Sequence, residues 1–202
     1  MILQIPTAEQ KRICGYDGYR NLVEECAKNN STSGEMLPER INATNLNAHR
    51  MRRIEKQVII RDDLTQLVRN LKSKWEWVVL AETWCGDGAQ NIPVIAKIAL
   101  LNQNIKLQIV LRDENPELMN KHLTNGNRSI PKLICTDVNS GKEMGTWGAR
   151  PKRIAEMVTE YKTKNPNVPH SEFVQNLHLW YARDKGQSVQ EDFLKLISDW
   201  SR

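Results

Sequence analysis

With 202 residues, 40% of them hydrophobic, the chain can bury one sizeable core or form one compact domain with added helices, whereas two full domains would be cramped. A formal net charge of +5 suits an acidic partner, but no run approaches the ~18 consecutive apolar residues of a membrane span. Cys14, Cys26, Cys85 and Cys135 are scattered, which excludes by spacing both a disulfide scaffold and a zinc site.

The opening MILQIPTAEQKR is a short apolar start broken by Pro6, with no basic segment ahead of a long hydrophobic region, so it does not read as a secretory signal. The expectation is a soluble, cytoplasmic protein with reduced thiols and no membrane partner. His49, His122, His170 and His178 form no ligand pattern with one another or with the cysteines, and no metal is expected.

Asp17 stands as a candidate N-cap before Tyr19, Leu22, Val23 and Cys26, whose spacing predicts an amphipathic helix that KNNSTSGE ends. A second helix is expected over Thr44 to Gln57. It holds the densest basic run, HRMRRIEK, yet Met51, Ile54 and Val58 keep helical spacing through it, so a solvated basic face accounts for the charge. With no RNA-binding aromatic motif and no helix-turn-helix signal, nucleic acid is not an expected partner. A third helix starts at Asp62 or Asp63, with Leu64, Leu67, Val68 and Leu71 on one face.

The pattern then changes. Trp77 to Ala81 is a short continuous apolar run of the kind buried on both faces of a sheet, and IKLQIVLRD is a second. Between them lies an amphipathic segment after Cys85, so strand, helix and strand predict a parallel pair with a right-handed crossover. A further helix is expected across NPELMNKHL. PKLICTD and KEMGTWG, separated by VNSG, read as an antiparallel hairpin. A helix carrying Ile154, Met157, Val158 and Tyr161 follows, then KTKNPNVPH as a linker and two more helices. Phe193, Leu196, Ile197 and Trp200 give the last one an apolar stripe that should dock on the core.

The order β-α-β-α-β-β-α, with a thiol where the first strand meets its helix, resembles the thioredoxin fold. Trp84 precedes Cys85 as a Trp precedes the first active-site cysteine of thioredoxins, and Pro93 lies eight positions after it. Ile130-Pro131 is similar to the branched residue and cis-proline that open the third strand, Gly148 matches the glycine facing the active site near the end of the fourth, and RDENP resembles the segment after the second. The W-C-G-D motif looks like that of a subfamily of small bacterial proteins. The resemblance implies an α/β protein with a central four-stranded mixed sheet flanked by helices. It covers about Asp62 to Lys164, so residues 62–164 are expected to form the thioredoxin-like domain, 1–61 an N-terminal helical extension, and 165–202 a C-terminal helical extension packed on the core.

A thiolate is the nucleophile in disulfide exchange, and a helix N-terminus favours it through unpaired N–H groups and the macrodipole. Cys85 at such a turn, flanked by Trp84, Gly86, Asp87 and Gly88, is therefore the candidate nucleophile, and a pKa drop of about 1.5 units would make roughly half of it thiolate. Asp87 would raise that pKa if it faced the sulfur and would cap the helix if it faced the amides. The resolving cysteine of thioredoxins, three residues on, is Gly88 here, the buried acid six residues before is Val79, and the second-strand lysine falls near Ile109.

The expected function is thiol-disulfide exchange through one cysteine, with no cofactor, on a protein disulfide or a low-molecular-weight thiol, an external thiol completing the cycle. The alternatives are resolution by Cys135 or an N-terminal cysteine, and a redox-inactive module that binds protein partners. Ile130, Pro131, Trp147 and Gly148 are the expected substrate-binding residues, with Trp84 and Trp147 as apolar walls and the Ile130 backbone open to an extended peptide. Trp75, Trp77, Trp180 and Trp200 are assigned to packing.

Overall fold

The computed structural model describes residues 14–202. The opening MILQIPTAEQKR, on which the expectation of no secretory signal rests, lies outside the described residues. Four strands, β1 (Trp75–Ala81), β2 (Ile105–Leu111), β3 (Lys132–Asp137) and β4 (Glu143–Gly148), lie in the order β2-β1-β3-β4. β1 and β2 are parallel, with Trp75 opposite Ile105 and Ala81 opposite Leu111, while β3 runs antiparallel to both β1 and β4. The helices are α1 (Tyr16–Lys28), α2 (Pro38–Gln57), α3 (Asp62–Arg69), α4 (Gly86–Ala99), α5 (Pro116–Lys121), α6 (Lys152–Lys164), α7 (His170–Asp184) and α8 (Gln187–Trp200). This is a thioredoxin-like α/β arrangement.

Strand side chains alternate between faces, and the core divides accordingly. Trp75, Trp77, Val79, Ala81, Leu133 and Cys135 join the larger cluster, which includes residues of α1, α2, α3, α4 and α8. Val78, Leu80, Val110 and Ile134 face the other way and pack with Met119 of α5, Ile130 and Cys85. The terminal helix docks as its stripe predicts: Phe193 is buried with its ring centroid 5.3 Å from that of Trp77 and 5.5 Å from that of Trp147, and Trp200 meets Trp75 edge-on at 5.9 Å. A third cluster joins α6 and α7 through Ile154, Val158, Phe173, Leu177 and Tyr181. Trp180 packs edge-on against Tyr161.

Four boundaries differ from the sequence expectation. The N-cap of α1 is Gly15, not Asp17, which sits in the first turn and complements the helix dipole there. β1 begins at Trp75, two residues earlier than the apolar run. α2 begins at Pro38 rather than Thr44: its first residues carry no apolar stripe, but Pro38 at the first turn and Glu39 beside it suit a helix start. The expected linker shortens to residues 165–169, since α6 continues to Lys164. Met51 and Ile54 in the basic run of α2, and Val58 at its C-cap, are buried as their spacing requires.

The segment before Cys85 is fixed by a buried polar cluster. Thr83 receives the Ser33 N–H at 2.8 Å, and its own N–H donates to Ser33 Oγ at 2.9 Å. Thr32 and Thr44 hydroxyls join it, and Asn47 of α2 donates to the Thr83 carbonyl at 2.9 Å. Glu82, fully buried, accepts from the Asp113 N–H at 2.8 Å and from Ser33 Oγ. Buried polar groups of this kind hold one geometry because an unmade bond costs roughly 1–3 kcal/mol. α2 is thus pinned directly behind the cysteine turn.

Candidate functional site

Cys85 is the N-cap of α4, which makes its side chain the first acceptor available to the orphan amides of that helix. Its Sγ receives the Gly88 N–H at 3.3 Å, and its thiol donates to the Ile130 carbonyl at 3.3 Å. The Ile130–Pro131 peptide is cis. Gly148 stands opposite Lys132 in the β3–β4 ladder at φ 122°, and a Cβ there would fall 2.1 Å from the Pro131 carbonyl oxygen, so only glycine fits. The structure therefore brings Cys85, Ile130, Pro131 and Gly148 to one place.

Asp87 does not cap the helix, yet its charge still raises the Cys85 pKa. Its carboxylate forms a two-pronged pair with Arg150, Nε to Oδ1 at 3.0 Å and Nη2 to Oδ2 at 2.8 Å, and accepts from Tyr181 Oη at 2.7 Å. Asn91 closes the cluster by donating to the Asp87 carbonyl and to Tyr181 Oη. α7 is thereby tied to the first turn of α4. It lies close: a Cβ on Gly86 would come 2.8 Å from His178 Cε1.

The drop in pKa that a helix N-terminus favours does not occur at Cys85. Burial, with Cys85 only 6% exposed, pushes the thiol up to about 12, and the Asp87 charge adds to the rise; the Gly88 amide and Arg150 act in the opposite direction but do not prevail. Position at a helix N-terminus is real here, but desolvation is the larger effect.

One further expectation changes, and the alternative of resolution by Cys135 loses its geometry. Trp147 is not a wall of the groove: it lies on the other face of the sheet, against Phe193, with its indole N–H donated to Asp192 at 2.8 Å. Cys135 lies on that same far face, one residue along β3 from Ile134, which packs with Cys85; strand alternation separates the two sulfurs. All four cysteines are free. Cys14 bridges to Ile109 on β2 and Cys26 is buried in α1.

In front of Cys85 opens a groove of about 780 Å³, walled by α2, the cysteine turn, the loop before Pro131 and α7. Trp84 lines it, with the Arg40 guanidinium 4.6 Å and that of Arg112 5.0 Å from its ring centroid. The α2 and α7 walls, Arg150 and Tyr181 escaped the sequence reading. Pro38-Glu39 was a local signal for the longer α2; nothing local marks Arg150 or Tyr181, which reach Asp87 only through the fold. Among the described residues, no group of three or more His, Cys, Asp or Glu side chains could hold a metal ion.

Residues 34–162 match the family described as Thioredoxin. The chain belongs to the thioredoxin family. The match begins before α2 and ends within α6, so it takes in the α2 wall of the groove as well as the sheet. A protein of unknown function from Pseudomonas aeruginosa is 18% identical, with a TM-score of 0.57 and coverage of 92% of this chain and 98% of that one. A scaffold carrying an HIV epitope is 16% identical, with a TM-score of 0.54 and the same coverage. At such identities these two share the fold with this thioredoxin-family chain. No curated protein matches it. No helix among the described residues is long and apolar enough to cross a membrane.

Proposed function

We propose that this thioredoxin-family protein carries out slow thiol-disulfide exchange through Cys85 alone, on a protein disulfide or a low-molecular-weight thiol in its disulfide form. The observation that carries the reading is the seat of the sulfur: Sγ takes the Gly88 amide at 3.3 Å, rests against the Ile130 carbonyl, and borders an open groove. The amide hydrogen bond stabilises the thiolate at the moment it attacks. A thiol of high pKa is a strong nucleophile when ionised but a poor leaving group. With Gly88 in the resolving position and Cys135 on the far face, the mixed disulfide formed at Cys85 persists until an external thiol attacks it. The free cysteines and the likeness of W-C-G-D to a bacterial subfamily support a bacterial, cytoplasmic setting.

The test is turnover of a mixed disulfide, coupled to an external thiol, by wild type and Cys85→Ser. Slow turnover that disappears in the variant is expected. The burial of Cys85 and its pKa of about 12 favour a second reading, a redox-inactive module whose groove only binds. Equal behaviour of wild type and Cys85→Ser in every disulfide assay would decide for it.

A further inference from the structure

The groove carries five guanidiniums, Arg40, Arg50, Arg112, Arg128 and Arg150, against two carboxylates, Glu39 and Asp87. Asp87 is taken by Arg150. Arg40 reaches Glu35 at 3.8 Å and Arg112 reaches Asp113 at 2.8 Å. Among the described residues, Arg50 and Arg128 pair with no carboxylate. Arg128 is exposed at the mouth, on the loop leading to Pro131.

Arg50 is built into the wall. Its Nη1 donates to Asn47 Oδ1 at 2.8 Å, the same Asn47 whose amide holds the Thr83 carbonyl, and a Cβ on Gly86 would lie 3.9 Å from that nitrogen. The guanidinium thus stands beside the cysteine turn, on a residue the fold fixes. Burial first, then the neighbouring Arg53, pushes its pKa down to about 10, and His178 beside it, pushed to about 4 by burial and the two guanidiniums, stays neutral, so the charge on this wall is that of Arg50 and Arg53. A partly buried cation that the chain leaves unpaired is costly by itself and is stabilised by an anion from outside.

We infer that the groove receives a small thiol bearing two or more carboxylates, in its disulfide form, with Arg50 and Arg128 engaging the carboxylates while the disulfide meets Cys85. This rests on the exchange reading. The size agrees, since a groove of about 780 Å³ falls within the range of small-molecule sites and is closed on two sides by helices. Trp84, Leu46 and Ile130 supply apolar contact for the backbone of such a ligand.

The step balances without a further oxidant. Cys85 loses its proton to water and its sulfur bonds to one sulfur of the disulfide. The original S–S bond breaks, and the departing acidic thiolate takes up a proton. Cys85 is oxidised to the mixed disulfide and one equivalent of the acidic thiol is released in reduced form.

The test compares three disulfides on wild type: oxidised glutathione (acidic), hydroxyethyl disulfide (neutral) and cystamine (cationic), following adduct formation at Cys85 by mass. The acidic disulfide should react about tenfold faster than the neutral one, relative to their rates with a free model thiol, and this preference should shrink as salt rises. The preference should fall in Arg50→Gln and in Arg128→Glu; the latter changes an exposed loop residue and so tests the inference even where Arg50→Gln fails to fold. Adducts forming with no acidic preference would overturn the inference and leave the exchange reading standing. No adduct with any of the three would remove the exchange reading. In that case S-methylglutathione titrated into Cys85→Ser decides: salt-sensitive binding weakened by Arg128→Glu supports the site, and absence of binding overturns it.

Discussion

The pKa of Cys85 gives the sharpest quantitative prediction, because burial and helix position act on it in opposite directions. The shift from 9.0 to about 12 cuts the thiolate fraction at pH 7 from about 10⁻² to about 10⁻⁵. Part of that loss returns as intrinsic reactivity. With a Brønsted coefficient of about 0.4–0.5, three units of basicity restore roughly 20-fold in attack on a disulfide. The net expectation is a Cys85 that attacks hydroxyethyl disulfide about 50-fold more slowly at pH 7 than an unperturbed thiol does, with the rate rising about tenfold per pH unit up to pH 10. The assay is mixed-disulfide formation at the Cys85 peptide, resolved by mass mapping across pH 6 to 10. Asp87→Asn should raise the rate at neutral pH, since the Asp87 charge is the second cause of the high pKa. A plateau between pH 6 and 8 would refute the reasoning, for it would mean that the helix terminus outweighs desolvation.

Gly88→Cys should give an oxidisable pair: a Cβ there would lie 3.6 Å from Cys85 Sγ and 3.5 Å from Ile92 Cδ1, ordinary contact distances, and intact mass should show loss of two hydrogens on oxidation. A variant that folds and stays reduced under an oxidant would count against this geometry. Phe193→Ala removes the ring between Trp77 and Trp147 and should cost about 3–5 kcal/mol in urea unfolding; a loss below 1 kcal/mol would mean that α8 does not dock there. His178, faced by Arg50 and Arg53 from α2 and by Gln90 from α4, is held neutral, with its pKa lowered to about 4 by burial first. The unfolded chain takes up a proton from pH 6.5 downward that the folded chain refuses, so this stability is present above pH 6.5 and is lost as pH falls through about 4. Allowing for partial exposure, of order 1–2 kcal/mol should go in that window, and His178→Asn should flatten it. Identical pH profiles for the two proteins would refute the assignment.

What the sequence made legible follows from where the physics is local. β1 announces itself because both faces are buried from Trp77 to Ala81, so its apolar run there is continuous, and β2 does so through its buried end, Ile109 to Leu111. The α8 stripe of Phe193, Leu196, Ile197 and Trp200 foretells docking because a helix with one apolar face has to bury it. The first turns of α2 were not legible by periodicity because Glu39, Arg40, Asn42 and Ala43 line the groove and need no apolar face. Trp147 was misplaced because a strand residue's face depends on register, which is set by pairing with Leu133. The Cys85 pKa was not legible because helix position can be read from a turn, whereas burial among Leu80, Met119, Ile130 and Ile134 cannot. Arg50, Arg150, Tyr181 and His178 meet the cysteine turn only after distant segments have packed.

The central claim, one exchanging sulfur with no internal partner, is tested most directly by incubating wild type with excess disulfide at pH 8 and weighing the intact protein. The account predicts a single adduct at Cys85 that persists after the disulfide is removed, is discharged by added low-molecular-weight thiol, and is missing from Cys85→Ser. An adduct at Cys85 that disappears without added thiol, or one that forms only on another cysteine, would contradict it.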